Sequence, residues 1–132
     1  MAAIAAYLQK AGLDWALGGA TPTRPAAWGV SLSLGAPTSV SGSEITTGSG
    51  YARQTVGFAP AVLSAGSASN TVAMTFGPFS SGASISGVAL WDTVLSANSG
   101  NMLAYGLLAT PRTVGAGDSL VIASGALVIT LA

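Results

Sequence analysis

The stretch WGVSLSL, residues 28–34, fixes the kind of chain this is. Trp28, Val30, Leu32 and Leu34 alternate with Gly29, Ser31 and Ser33. A period of two puts every large side chain on one face of an extended strand. The alternation returns downstream. Ala52, Gln54, Val56 and Phe58 interleave with Arg53, Thr55 and Gly57, and Val72, Met74 and Phe76 interleave with Thr71, Ala73 and Thr75. Further strands are expected over 85–92, 102–109, 119–122 and 126–131. The clusters SAGSASN, GPFSSGAS, SANSGN and TVGAGD read as the turns between them. Residues 35–50 read as a long polar loop with a short strand around Ile45. Seven or eight short, evenly spaced strands predict an all-β fold, an antiparallel, jelly-roll-like β-sandwich.

Upstream of residue 28 the pattern differs. Residues 2–17 are rich in alanine and leucine, Ile4, Leu8 and Trp15 form one helical stripe, and Gly18-Gly19 ends it. The segment ATPTRPAA, 20–27, carries two prolines and reads as an extended connector. The expected organisation is an N-terminal helical arm (1–19), a Pro-containing connector (20–27) and a β-sandwich domain (28–132). The arm either grapples a neighbour or folds back to cap its own sandwich.

Composition narrows the function. Only 6% of the 132 residues are charged, four basic against four acidic, so the net charge is zero. No basic face exists to neutralise phosphates, which argues against a nucleic-acid partner. Eight charges spread over a monomer surface of roughly 6,300 Å² is sparse for a soluble protein, and such surfaces associate. A membrane partner is not expected, because polar residues or glycine interrupt every apolar run short of ~18 residues. With no cysteine there is no disulfide framework and no thiolate chemistry. The absence of histidine removes the commonest general base and transition-metal ligand. The abundant serines lack a base, and no glycine-rich turn is followed by GK[ST]. No catalytic residue, metal site or cofactor is therefore expected.

Two sets of residues carry alternatives. Tyr7, Trp28, Tyr51, Trp91 and Tyr105 read either as core aromatics or as a sugar- or peptide-binding platform, and period-two context favours core for Trp28 and Trp91. Arg53, within GSGYARQTVGF (48–58), is the one charged residue between Glu44 and Asp92. Either it points to solvent, or its planar fork clamps a loop by bonding Asp92, Asp118 or backbone carbonyls.

Several stretches resemble a family of small phage virion proteins often labelled tail-fibre proteins: GSGYARQTVGF (48–58), SNTVAMTFGPF (69–79), ISGVALWDT (85–93) and GNMLAYGLLATPRTVGAGDSLVIASGALVITL (100–131), with AWGVSLSL ahead of them. Some proteins of this look resemble capsid cement proteins, jelly-roll dimers that bridge neighbouring capsomers of an HK97-like shell. The resemblance implies a non-enzymatic virion structural protein with no catalytic residue to carry over. The leading expectation is a capsid decoration (cement) protein assembled in the host cytoplasm. Its partners would be the major capsid protein of an HK97-like shell and a second copy of itself, on the capsid exterior. A tail fibre or tip component touching the host surface is the alternative, and a carbohydrate-binding jelly-roll module is the third.

Overall fold

The structure is a computed structural model, described here for residues 3–45, 50–95 and 99–130. Parts of the expected loop (46–49) and of the SANSGN turn (96–98), and the outermost ends of the expected helix and last strand, lie outside the described residues.

The strand announced by WGVSLSL is the second of nine among the described residues. β1 (Ala3–Ile4) precedes helix α1 (Ala6–Ala16), and β2 (Trp28–Ser33), β3 (Gln54–Val56), β4 (Ser67–Ser69) and β5 (Met74–Phe76) follow. The chain ends with β6 (Ala83–Trp91), β7 (Met102–Val114), β8 (Leu120–Ile122) and β9 (Val128–Thr130). All pairings are antiparallel, and the fold is all-β with one short helix. A five-stranded sheet runs in the order β1-β7-β6-β2-β3, and two ribbons, β4-β9 and β5-β8, supply the remaining strands.

The main core lies between the sheet and the ribbons. Val30 and Leu32 of β2, Ile85, Val88 and Leu90 of β6, and Leu103 of β7 meet Met74 and Phe76 of β5 together with Phe79 and Leu127. The alternating register delivers these residues to one face. In β6 a bulge between Ile85 and Gly87 shifts the parity, which is why Ile85 and Val88 share a side. Ile129 of β9, and Leu120 and Ile122 of β8, pack on the edge of this core.

The alternation of β2 predicts a polar, solvated back face, and the structure differs. Ser31 and Ser33 are as buried as Val30 and Leu32. A second, smaller core of Ala5, Ala89, Trp91 and Met102 covers that side, with Tyr105 against it. The segment read as a free polar loop is its lid. Ser33 hydroxyl donates to the carbonyl of Gly42, and Ser33 and Glu44 form a bridge. Gly42 lies so close that a Cβ there would meet the Trp91 ring at 2.8 Å. The buried serines are satisfied: Trp91 Nε1 donates to Ser31 Oγ at 2.9 Å, and Ser31 Oγ donates to the Ala89 carbonyl at 3.5 Å. Burial of these hydroxyls is tolerable because each has a partner.

The N-terminal segment joins the same body. Ala3 and Ile4 pair with Tyr105 and Ala104, and the Ala5 N–H donates to the Leu103 carbonyl at 2.8 Å. Ile4 is thus a strand residue, not part of a helical stripe. The helix itself buries no residue fully, although Leu8 touches the main core. Of the two readings of the arm, the fold-back is the geometry present.

Candidate functional site

The buried charge of the molecule is concentrated at one place. Arg53, just ahead of β3, and Glu44, brought in by its bridge to Ser33, have side chains only 1% and 0% exposed. The contact is bidentate: Arg53 Nε donates to Glu44 Oε1 at 2.8 Å, and Arg53 Nη2 donates to Oε2 at 2.7 Å. Two parallel N–H···O bonds use the planar fork as only arginine can. The remaining nitrogen, Nη1, donates to the carbonyls of Thr93 at 3.1 Å and Ser99 at 3.0 Å. The guanidinium also lies over the Trp91 ring, 4.1 Å from its centroid.

Tyr51 completes the cluster from the other side. Its hydroxyl donates to Glu44 Oε1 at 2.9 Å and accepts from the Leu32 N–H at 3.1 Å, while its ring stacks on Phe76. Burial pushes the Tyr51 hydroxyl well above its ordinary pKa, so it stays protonated and donates. Every group faces a partner of the right kind, and the cluster fastens β2, β3 and the chain at Thr93 and Ser99 together. Arg53 is a clamp in the geometric sense, through backbone carbonyls.

Its acid is not one of those named from sequence. Asp92 and Asp118 both hold their own turns and do not pair with Arg53. Asp92 accepts from the Asn101 N–H at 2.7 Å and from Asn101 Nδ2 at 2.8 Å, closing the 92–101 connection. Asp118 accepts from the Gly115 N–H at 2.8 Å within GAGD. Short acids at turns find a nearby backbone N–H first. Glu44, nine residues before Arg53, is the partner that sequence reasoning passed over as a loop residue. Also missed is Asn70, which is buried and ties the ribbons. Its Nδ2 donates to the carbonyls of Val72 and Ala123, and its Oδ1 accepts from the Leu127 N–H.

The five aromatics divide. Tyr51 and Trp91 are core, Trp28 packs partly buried on it, and Tyr105 packs on the smaller core. Tyr7 stays substantially exposed. Among the described residues no three acidic, histidine or cysteine side chains converge to hold a metal ion, and no helix is long and apolar enough to cross a membrane.

The surface differs from that of an ordinary monomer. Leu13, Trp15 and Leu17 of the helical segment, Val62, Leu63 and Val72 near β4, and Leu107 and Val121 of β7 and β8 are all more than half exposed. The chain exposes 7161 Å². A compact monomer of this mass exposes roughly 6,300 Å².

Comparison with known families sets the chain among phage virion structural proteins. The family model for the podophage GP4 fiber I protein gp80 (Gp80) matches residues 3–130, nearly the whole chain, and the protein belongs to that family. No curated protein matches it. The description names a fiber, so the leading sequence-based expectation of a capsid cement protein gains no support from this match, and the fibre alternative does.

Proposed function

We propose that the protein is a non-enzymatic subunit of a podophage tail fibre. The observation that carries this reading is the family match over residues 3–130 to a protein described as a fiber component. The physics of the surface agrees with a subunit that works inside an assembly. Large apolar side chains stand exposed on both the helical segment and the strands, and charge is too sparse to keep such surfaces apart. The buried charge cluster is fully paired, so its role is to hold the fold rather than to move protons. Copies of the same chain and neighbouring virion proteins are the partners such surfaces serve.

Gold-labelled antibody against the purified protein, applied to intact virions, tests the reading. Gold confined to the tail region and its appendages is expected. Gold distributed over the icosahedral shell would return the protein to capsid decoration, and virions free of label, intact and disrupted alike, would remove it from the particle.

A further inference from the structure

One flank of the fold, where β7 of the sheet faces β8 of a ribbon, is open. A groove of about 780 Å³ lies there, with 106–110 and 112–114 on one wall and 118–123 and 126–128 on the other. β8 pairs with β5 alone, Leu120–Ile122 against Met74–Phe76. Among the described residues no strand or isolated bridge joins its other edge. We propose that this edge accepts an extended segment of a different polypeptide chain, which adds a strand to the β5-β8 ribbon.

The argument begins with the backbone. Strand N–H and C=O groups point to both sides, so a strand paired on one side leaves donors and acceptors on the other. Exposed edges are ordinarily blunted by charge, proline or a bulge. β7 on the facing wall carries such guards: residues 108–111 have no ladder partner in β6, and Pro111 is followed by Arg112. β8 carries none. Leu120, Val121 and Ile122 are strand formers without charge or proline, and their register with β5 is unbroken. An unguarded edge inside a recess is a template for one more strand.

The faces of β8 set the chemistry of the incoming segment. Leu120 and Ile122 pack on the edge of the main core, whereas Val121 is 60% exposed. Side chains of an added strand alternate in step with these. Those beside Leu120 and Ile122 are apolar and extend the core, and those beside Val121 face solvent. The wall 118–123 spans about 20 Å when extended, at ~3.3 Å per residue, and seats a segment of that length.

The donor is another chain rather than a second copy. A recess between two walls admits a single extended segment, while the edge of a second folded sheet brings its neighbouring strands with it. Among the described residues this chain has no extended segment to lend. β1 and β9 are already paired with β7 and β4, and the connector carries Pro22 and Pro25, which lack the N–H that a ladder needs.

The proposal builds on the reading of the chain as an assembly subunit, but it concerns this groove wherever the protein sits in the virion, so it and the tail reading fail independently. The full chain is screened against yeast-displayed ten-residue segments with apolar residues at every second position, and against a matched library with proline at every third. Binders are expected from the first library alone. In the tightest binder, N-methylation of the backbone amides at one alternate set of positions should weaken binding at least about tenfold, and methylation of the intervening set should leave it unchanged. Ala109→Trp and Ala123→Trp, which fill the groove from either wall, should each weaken binding by a similar factor. Leu63→Ala, on a remote exposed loop, should bind as the parent does. Ala109 and Ala123 are exposed, and unchanged circular dichroism confirms that each variant is folded. No enriched binder, equal enrichment from both libraries, affinity indifferent to every N-methyl group, or tryptophan variants that bind as the parent does would each overturn the proposal. So would a parent that sediments as a dimer dissociated by Ala109→Trp, because a second copy would then hold the groove.

Discussion

Replacing Arg53 by alanine removes a guanidinium that is almost fully enclosed and makes four hydrogen bonds. The Glu44 carboxylate stays behind, fully buried, having lost both of its guanidinium bonds. The carbonyls of Thr93 and Ser99 lose this donor, and the Trp91 face loses its cation. Breaking a buried pair from one side costs about 3–5 kcal/mol, chiefly because a charge is left uncompensated. For a chain of this length each kcal/mol moves the melting temperature by about 3–5 °C, so Arg53→Ala should melt roughly 10–20 °C below the parent. Arg53→Lys should recover only part of this, because an ammonium cannot bond both carboxylate oxygens and two carbonyls at once. The double variant Arg53→Met/Glu44→Leu should melt above either single variant, since replacing both charges removes the desolvation cost with them. Urea and thermal unfolding followed by near-ultraviolet circular dichroism provide the numbers. Single variants that unfold within about 1 kcal/mol of the parent would refute the reasoning, because that is the range of a solvated surface pair.

Three further outcomes follow from the same structure. Tyr51 keeps its proton in the fold, while the unfolded chain releases it near its ordinary pKa of 10.0. The stability it contributes is therefore intact below that pH and falls as pH rises above it. The urea midpoint of the parent should drop between about pH 9 and 11 more steeply than that of Tyr51→Phe, and parallel curves would contradict the assignment. Gly29→Ala should destabilise by about 1–3 kcal/mol, because its Cβ would clash with the Thr93 carbonyl that Arg53 holds; a neutral effect in chemical denaturation would show that the backbone at Thr93 and Val94 yields freely. Deleting residues 1–5 should lower the melting temperature, since it strips β1 from the edge of β7 and uncovers the smaller core around Trp91 and Met102. A truncated protein that melts like the parent would make the N-terminus an appendage.

The sequence was legible where local pattern and tertiary demand agree. Alternation placed β2, β5 and β6 closely, because their large residues face one continuous core. It failed for β4, where Ser67, Ala68 and Ser69 offer no hydrophobic signal and the strand exists through its pairing with β9. It also ended β7 too early. Leu107 pairs with Gly87 and Arg112 with Ile85, so the four residues between them, Pro111 included, bow outward opposite one residue of β6. Within the cluster, Arg53 stood out by its isolation, but the choice among acids is a tertiary fact. Asp92 and Asp118 are each consumed by their own turn. Glu44 became the partner because the 35–44 segment folds over the back of the sheet, and nothing in its polar composition announces a lid.

The central claim is that this chain serves as a fibre subunit of the virion, and a single-particle map of the intact phage tests it most directly. Density fitted by the five-stranded sheet and its two ribbons should appear in fibres at the tail, with a copy number well below that of the major capsid protein. The same density repeated across the capsomers, in proportion to the major capsid protein, would contradict the account.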